Sequence, residues 1–151
     1  MTLEVIDEFG VKIYCEENMR RFIIPGNQRY KGKTYIVPGD FSSAAFPLGA
    51  GAITNSTVEV TNLDYRGIQG DRLIVNYLRD FGAEVETRGT SVTVKGGELS
   101  GTEFDCADTP DLVPVLAVLG SVADGNTEIY NVPHLRIKES DRIKSLAFGL
   151  R

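Results

Sequence analysis

Nine consecutive residues, His134-Leu135-Arg136-Ile137-Lys138-Glu139-Ser140-Asp141-Arg142, concentrate the side chains of this chain that could do chemistry. Six of them can carry charge, and His134 is the only histidine among the 151 residues. An apolar strand pattern over 127–132 runs into the stretch; a helical pattern of Ile143, Leu146, Ala147 and Leu150 runs out of it. The stretch therefore reads as the turn from a strand into a helix N-terminus, where exposed N–H groups and the positive dipole end favour an anion. Lys138 and Arg142 are four apart and fall on one face of the predicted helix; Glu139 and Arg142, three apart, are also neighbours. Two cations beside these N–H groups make an anion site with a carboxylate inside it. The same residues equally suit an ordinary solvated helix start, because Glu139, Ser140 and Asp141 all favour a first turn. Asp111 poses a similar choice. It opens the apolar segment 112–122 either as a capping or first-turn carboxylate, or as a carboxylate lining a substrate site.

The elements that must position these residues follow from periodicity. Leu3, Ile6 and Phe9 predict a helix with no cap in front, ended by Gly10; strands are predicted over 11–16 and 21–24, joined by a polar turn. Residues 28–33 read as a linker and 34–37 as a short strand. Asp40 or Ser42 can cap a helix running to about Ile53; a strand over 56–60 follows. Gln69-Gly70-Asp71-Arg72 opens a helix with Leu73, Tyr77, Leu78 and Phe81 on its apolar face, stopped by Gly82. Residues 85–88 and 91–95 form a hairpin through Gly89-Thr90, strands cover 102–106 and 126–130, and Asp108-Thr109-Pro110-Asp111 caps a helix through Val122. Asp71-Arg72 and Asp141-Arg142 stand 70 residues apart, and the same offset sets Thr57 on Thr127 and Val60 on Tyr130. The chain thus predicts one full βαβαββ repeat, with the tail of another before it and the front of another after it. In the earlier repeat Gln69-Gly70 replaces Glu139-Ser140, so that copy reads as structural, as do Asp40, Ser42 and Ser43. Segments 44–53 and 112–122 are apolar all round, which predicts buried helices with the sheets outside them.

Composition narrows the function classes. With 42% hydrophobic and 25% charged residues the chain is an ordinary globular one. A net charge of −5 argues against non-specific nucleic-acid binding, so an anionic substrate needs a local cationic pocket. No apolar run approaches the ~20 residues of a membrane span, and the N-terminus has no signal-peptide pattern. Cys15 and Cys106 stand apart from any metal-ligand spacing and read as buried reduced thiols of a cytoplasmic protein. No metal or cofactor is expected.

Leu135-Arg136-Ile137-Lys138-Glu139-Ser140-Asp141-Arg142 resembles the signature of the 5-enolpyruvylshikimate-3-phosphate synthases, or 3-phosphoshikimate 1-carboxyvinyltransferases. Pro38-Gly39-Asp40-Phe41-Ser42-Ser43-Ala44-Ala45-Phe46 resembles that family's interdomain segment, and Gln69-Gly70-Asp71 and Asp108-Thr109-Pro110-Asp111 match as well. The resemblance implies an inside-out α/β barrel of repeated βαβαββ units, with helices inside and sheets outside. It implies that 1–37 is the tail of the first domain with its linker. Residues 38–151 would be the first unit and the front of the second unit of the other domain. It implies transfer of the enolpyruvyl group of phosphoenolpyruvate to the 5-hydroxyl of shikimate 3-phosphate, with release of phosphate. By motif, Asp111 accepts from the 5-hydroxyl, Lys138 binds shikimate 3-phosphate, Glu139 takes part in proton transfer at C3, and Arg142 holds phosphoenolpyruvate. His134 stands where the family often has a substrate-contacting Asn, and it could also titrate near neutrality. The family's N-terminal Lys-Ser loop, its Ser-Ser-Gln segment and its later Arg and Lys ligands have no match. The expectation is therefore an internal fragment, inactive alone and prone to self-association. Three other readings compete. RNA 3′-phosphate cyclases have related repeats but need a nucleotidylated His and a basic surface, which a net charge of −5 does not suit. UDP-N-acetylglucosamine enolpyruvyl transferases use a Cys in a Gly-rich loop, which neither Cys15 nor Cys106 matches. A non-catalytic α/β interaction module would tolerate replacement of Asp111 and Glu139.

Overall fold

The computed structural model describes residues 1–54 and 56–151. The chain divides into two compact units, Met1–Val37 and Pro38–Arg151.

In the first unit, helix α1 (Thr2–Glu8) has no side-chain cap and ends at Gly10, whose φ of +85° favours glycine. Strands β1 (Tyr14–Glu16) and β2 (Arg21–Ile23) pair antiparallel, Tyr14 opposite Ile23, and every residue of both is exposed, so Cys15 is not the buried thiol expected, whereas Cys106 is. Their turn runs through left-handed Glu17, Asn18 and Met19. Ion pairs of Lys12 with Asp7 and Lys33 with Glu8, and a 5.7 Å contact between the Phe9 and Tyr35 rings, tie the unit together. Residues 34–37 form no strand, contrary to the reading of the sequence. Ile36 is exposed, and β propensity without a paired ladder and a covered face does not make a strand.

The second unit begins with α2 (Phe41–Ile53), capped by Asp40, whose carboxylate accepts from the Ser43 N–H at 2.8 Å. Strand β3 (Thr57–Val60) follows, then a 3-10 turn (Gly70–Leu73) leading into α3 (Ile74–Asp80). Gly82, at φ +102°, stops that helix. Strands β4 (Glu84–Arg88) and β5 (Ser91–Lys95) form the expected hairpin, and β5 lies between β3 and β4 in an antiparallel sheet. Val92 and Val94 face inward from β5, as strand alternation requires. The pattern then restarts: β6 (Glu103–Asp105), a 3-10 turn (Pro110–Leu112), α4 (Val113–Val122), β7 (Glu128–Tyr130), a third 3-10 turn (Pro133–Ile137) and α5 (Arg142–Gly149). Strand β6 pairs with β7 in parallel, Phe104 opposite Ile129. A parallel pair needs a crossover, and α4 supplies it. Just before β6 the backbones approach closely: a Cβ on Gly101 would sit 2.3 Å from the Asn126 carbonyl oxygen.

Phe41, Leu48, Leu78, Phe81, Phe104, Leu116 and Leu119 form one core between α2, α3, α4 and the sheets. Helices α2 and α4 carry the buried core, as their apolar composition predicts, and each leaves part of its surface open. Phe46 and Ile53 on α2, and Val118 and Val122 on α4, are exposed at 59%, 40%, 41% and 58%. Each helix buries one stripe within the unit and leaves an apolar stripe uncovered there. Gly49 lets the two helices meet, since a Cβ there would lie 2.9 Å from Val115 Cγ1.

Candidate active site

Two helix-start segments bring the charged residues together. Asp141 caps α5: its Oδ1 accepts from the Lys144 N–H at 3.0 Å and its Oδ2 from Arg136 Nη1 at 3.2 Å. The Lys144 N–H, and then Arg136, hold the Asp141 carboxyl below its ordinary value. The helix thus starts at Arg142, and this corrects the predicted pairing of cations. Lys138 lies before the helix in extended backbone (φ −73°, ψ −157°), so its four-residue spacing from Arg142 is not a helical one. A 3-10 turn opened by Pro133, and a cap that sits as late as Asp141, leave 138–140 outside any helix.

Arg142 is the hub. Its Nε donates to Glu139 Oε1 at 2.8 Å and its Nη2 to Glu139 Oε2 at 3.1 Å, a two-point guanidinium–carboxylate contact. Its Nη1 donates to Asp111 Oδ1 at 2.6 Å, across 31 residues of chain. The Arg142 side chain is 26% exposed, against 50% for Asp111 and 65% for Glu139. The hydrogen bonds to Glu139 and then Asp111 raise the Arg142 guanidinium further above its already high value. The hydrogen bond from Arg142 in turn holds the Glu139 carboxyl below its ordinary range.

Asp111 sits in the middle of the Pro110–Leu112 turn, and its carboxylate reaches Arg142 on the far segment. The structure therefore joins three of the five sequence-derived candidates, Asp111, Glu139 and Arg142. Among the described residues, no hydrogen bond or ion pair links His134 or Lys138 to them. His134 lies half-buried in the Pro133–Ile137 turn; Lys138 is exposed. An open groove of about 480 Å³ runs from Glu139 and Arg142 between Pro114 and Val118 of α4 and Leu146 of α5 with Leu150 just beyond it.

Two arrangements beside this cluster have no signal in spacing or composition. Ser42 Oγ donates to Asp71 Oδ2, and Gln69 clamps the start of α2, accepting from the Phe41 N–H at 3.0 Å and donating to the Gly39 carbonyl at 2.8 Å. Burial pushes the Asp71 carboxyl up, and the nearby charges of Asp111 and Asp40 add to that. The Tyr77 hydroxyl lies 3.0 Å from the Asp105 carbonyl oxygen and 3.2 Å from Thr109 Oγ1. Among the described residues no group of three or more His, Cys, Asp and Glu side chains could hold a metal ion, and no helix is long and apolar enough to cross a membrane.

The model of the EPSP synthase (3-phosphoshikimate 1-carboxyvinyltransferase) family matches residues 1–151. The chain belongs to this family. It is 47% identical over 154 residues to the 3-phosphoshikimate 1-carboxyvinyltransferase of Methanococcoides burtonii, covering 99% of this chain and 36% of that relative. It is 42% identical to that of Methanocaldococcus jannaschii, covering 100% of this chain and 35% of the relative. An EPSP synthase structure from Acinetobacter baumannii superposes with a TM-score of 0.76 at 29% identity, over 95% of this chain and 35% of that one. The enolpyruvyl transferase NikO from Streptomyces tendae gives 0.65 at 18% identity, covering 83% of this chain and 31% of that one, a likeness of fold. The chain thus carries enolpyruvyl transferase architecture and spans about 35% of the length of these EPSP synthases. Membership favours the EPSP synthase reading over both the interaction module and the UDP-N-acetylglucosamine enzymes.

Proposed function

We propose that this chain forms part of an enzyme that transfers the enolpyruvyl group of phosphoenolpyruvate to the 5-hydroxyl of shikimate 3-phosphate and releases phosphate. Residues 1–37 would belong to the tail of one domain; 38–151 would be the first unit and the front of the second unit of the other. The observation that carries the reading is Arg142 bridging Asp111 and Glu139, within a chain that matches the family end to end.

Asp111 accepts the proton of the attacking hydroxyl. It is a carboxylate on a short turn, half exposed, and its one ion-pair partner among the described residues is Arg142. Arg142 turns its planar donors to the phosphate or carboxylate of phosphoenolpyruvate, which suits a guanidinium better than an ammonium. That exchange has a consequence for Glu139. While Arg142 grips both of its oxygens, Glu139 is held ionised. An anion that draws Arg142 away removes the main cause of that depression, so Glu139 gains proton affinity when substrate binds. Such a group can deliver a proton to C3 and take one back. Lys138, exposed and outside the helix, binds the 3-phosphate, and His134 contacts substrate. The 151-residue chain alone is proposed to lack turnover, because it spans about 35% of its relatives.

The test uses the complete polypeptide that carries this sequence. Phosphate release from phosphoenolpyruvate should require shikimate 3-phosphate. Release that ignores shikimate 3-phosphate, or that responds to UDP-N-acetylglucosamine instead, would overturn the reading.

A further inference from the structure

Asp111 is the middle residue of the short Pro110–Leu112 turn, so its position follows the loop that carries the backbone from β6 to that turn. That loop is tied internally. The Ala107 N–H donates to Asp105 Oδ1 at 3.0 Å, the Thr109 N–H to the Cys106 carbonyl at 3.2 Å, and the Leu112 N–H to the Thr109 carbonyl at 3.1 Å. Thr109 is 1% exposed, the one buried polar residue among those described. Its hydroxyl meets Tyr77, which reaches across from α3. A phenol has one proton, and the Asp105 carbonyl can only accept it; Tyr77 therefore donates to Asp105 and accepts from Thr109. The Tyr77 ring also packs edge-on against Phe104, with centroids 5.1 Å apart at 65°. One side chain thus grips the segment 104–109 at three points, and Asp111 follows two residues after the last of them.

We propose that Tyr77 and Thr109 are positioning residues for Asp111: the buried phenol–threonine pair fixes the β6-to-α4 loop so that the Asp111 carboxylate stays aimed at Arg142 and the reacting hydroxyl. Burial raises the Tyr77 phenol above its ordinary value, so it remains a donor at neutral pH. The inference rests on Asp111 being the proton acceptor. A packing role alone would need the Tyr77 ring against Phe104 but no hydroxyl.

The test is steady-state kinetics of the complete polypeptide. Tyr77→Phe keeps the ring and removes the hydroxyl; Thr109→Val removes the other half of the pair. Each should lower kcat by roughly 5- to 20-fold with KM changed less than about two-fold, as expected when a reacting group is slightly misplaced. The double variant should be no worse than either single one, because both break the same link. In an Asp111→Asn background, Tyr77→Phe should change the residual kcat by less than about two-fold, since positioning acts through Asp111. Full turnover in Tyr77→Phe, or the same fold loss with and without Asp111, would overturn the proposal. If Asp111→Asn itself retains turnover, the assignment of Asp111 fails first and takes this inference with it. Should Tyr77→Phe fail to fold, Thr109→Ser against Thr109→Val decides. Serine keeps the hydroxyl and should retain turnover, whereas an equal loss in both refutes the role.

Discussion

Replacing Arg142 by Ala should damage anion binding far more than folding. Its guanidinium makes three hydrogen bonds to two carboxylates that are themselves 50% and 65% exposed. Ion pairs that open to solvent contribute little, so the fold should be only slightly destabilised. Against a bound anion the same donors work together. A charge-assisted contact is worth about 1.5–3 kcal/mol, or roughly 10- to 150-fold in affinity at 1.4 kcal/mol per factor of ten. KM for phosphoenolpyruvate in the complete polypeptide should therefore rise by about that factor, while the urea midpoint moves little. Arg142→Lys restores charge without the planar fork and should fall between the two. A large loss of stability with KM unchanged would show that Arg142 is a strut between α5 and the Asp111 turn, and would refute the anion role.

Other outcomes follow from particular contacts. Asp141→Asn should lower the melting temperature by roughly 2–6 °C while leaving turnover near normal, because Asp141 caps α5 and touches no other member of the cluster. Loss of turnover with normal melting would contradict the assignment. Asp71 is raised by burial, so its protonated form is favoured in the folded state. Its contribution is present at acid pH and is lost as pH rises through its raised titration range, leaving the ionised group a cost at neutrality. Asp71→Asn should keep stability at pH 7 equal or higher, and urea titrations should show less stabilisation on acidification below neutral than the parent. Gly101→Ala should destabilise by about 1–3 kcal/mol, since its Cβ would meet the Asn126 carbonyl at 2.3 Å; an unchanged denaturation midpoint would show that the two segments separate freely.

Where local chemistry decides structure, the sequence could be read. Gly10 and Gly82 end helices because both adopt positive φ, Asp40 and Asp141 cap because their carboxylates reach an N–H three residues on, and Gly89-Thr90 turns a hairpin. Helix registry was harder. Lys138 and Arg142 have helical spacing, but a cap at Asp141 starts the helix after Lys138. Residues 34–37 carry strand composition yet form no strand. In the candidate site, Glu139 and Arg142 stand three positions apart and do meet, although Glu139 precedes the helix and the spacing is not a helical one. The Asp111–Arg142 contact spans 31 residues, and its partners meet only because the loop after β6 and the start of α5 converge. The Tyr77–Thr109 pair spans 32 residues and carries no compositional mark, so only the fold reveals it.

Under the proposed function, Glu139, held by Arg142 in the free protein, moves the proton at C3 once substrate engages Arg142. Glu139→Gln keeps the shape and the hydrogen bonding but cannot transfer the proton. Steady-state kinetics of this variant in the complete polypeptide should show kcat reduced by roughly 10²- to 10⁴-fold with little change in KM for either substrate. Turnover close to that of the parent would refute this role of Glu139.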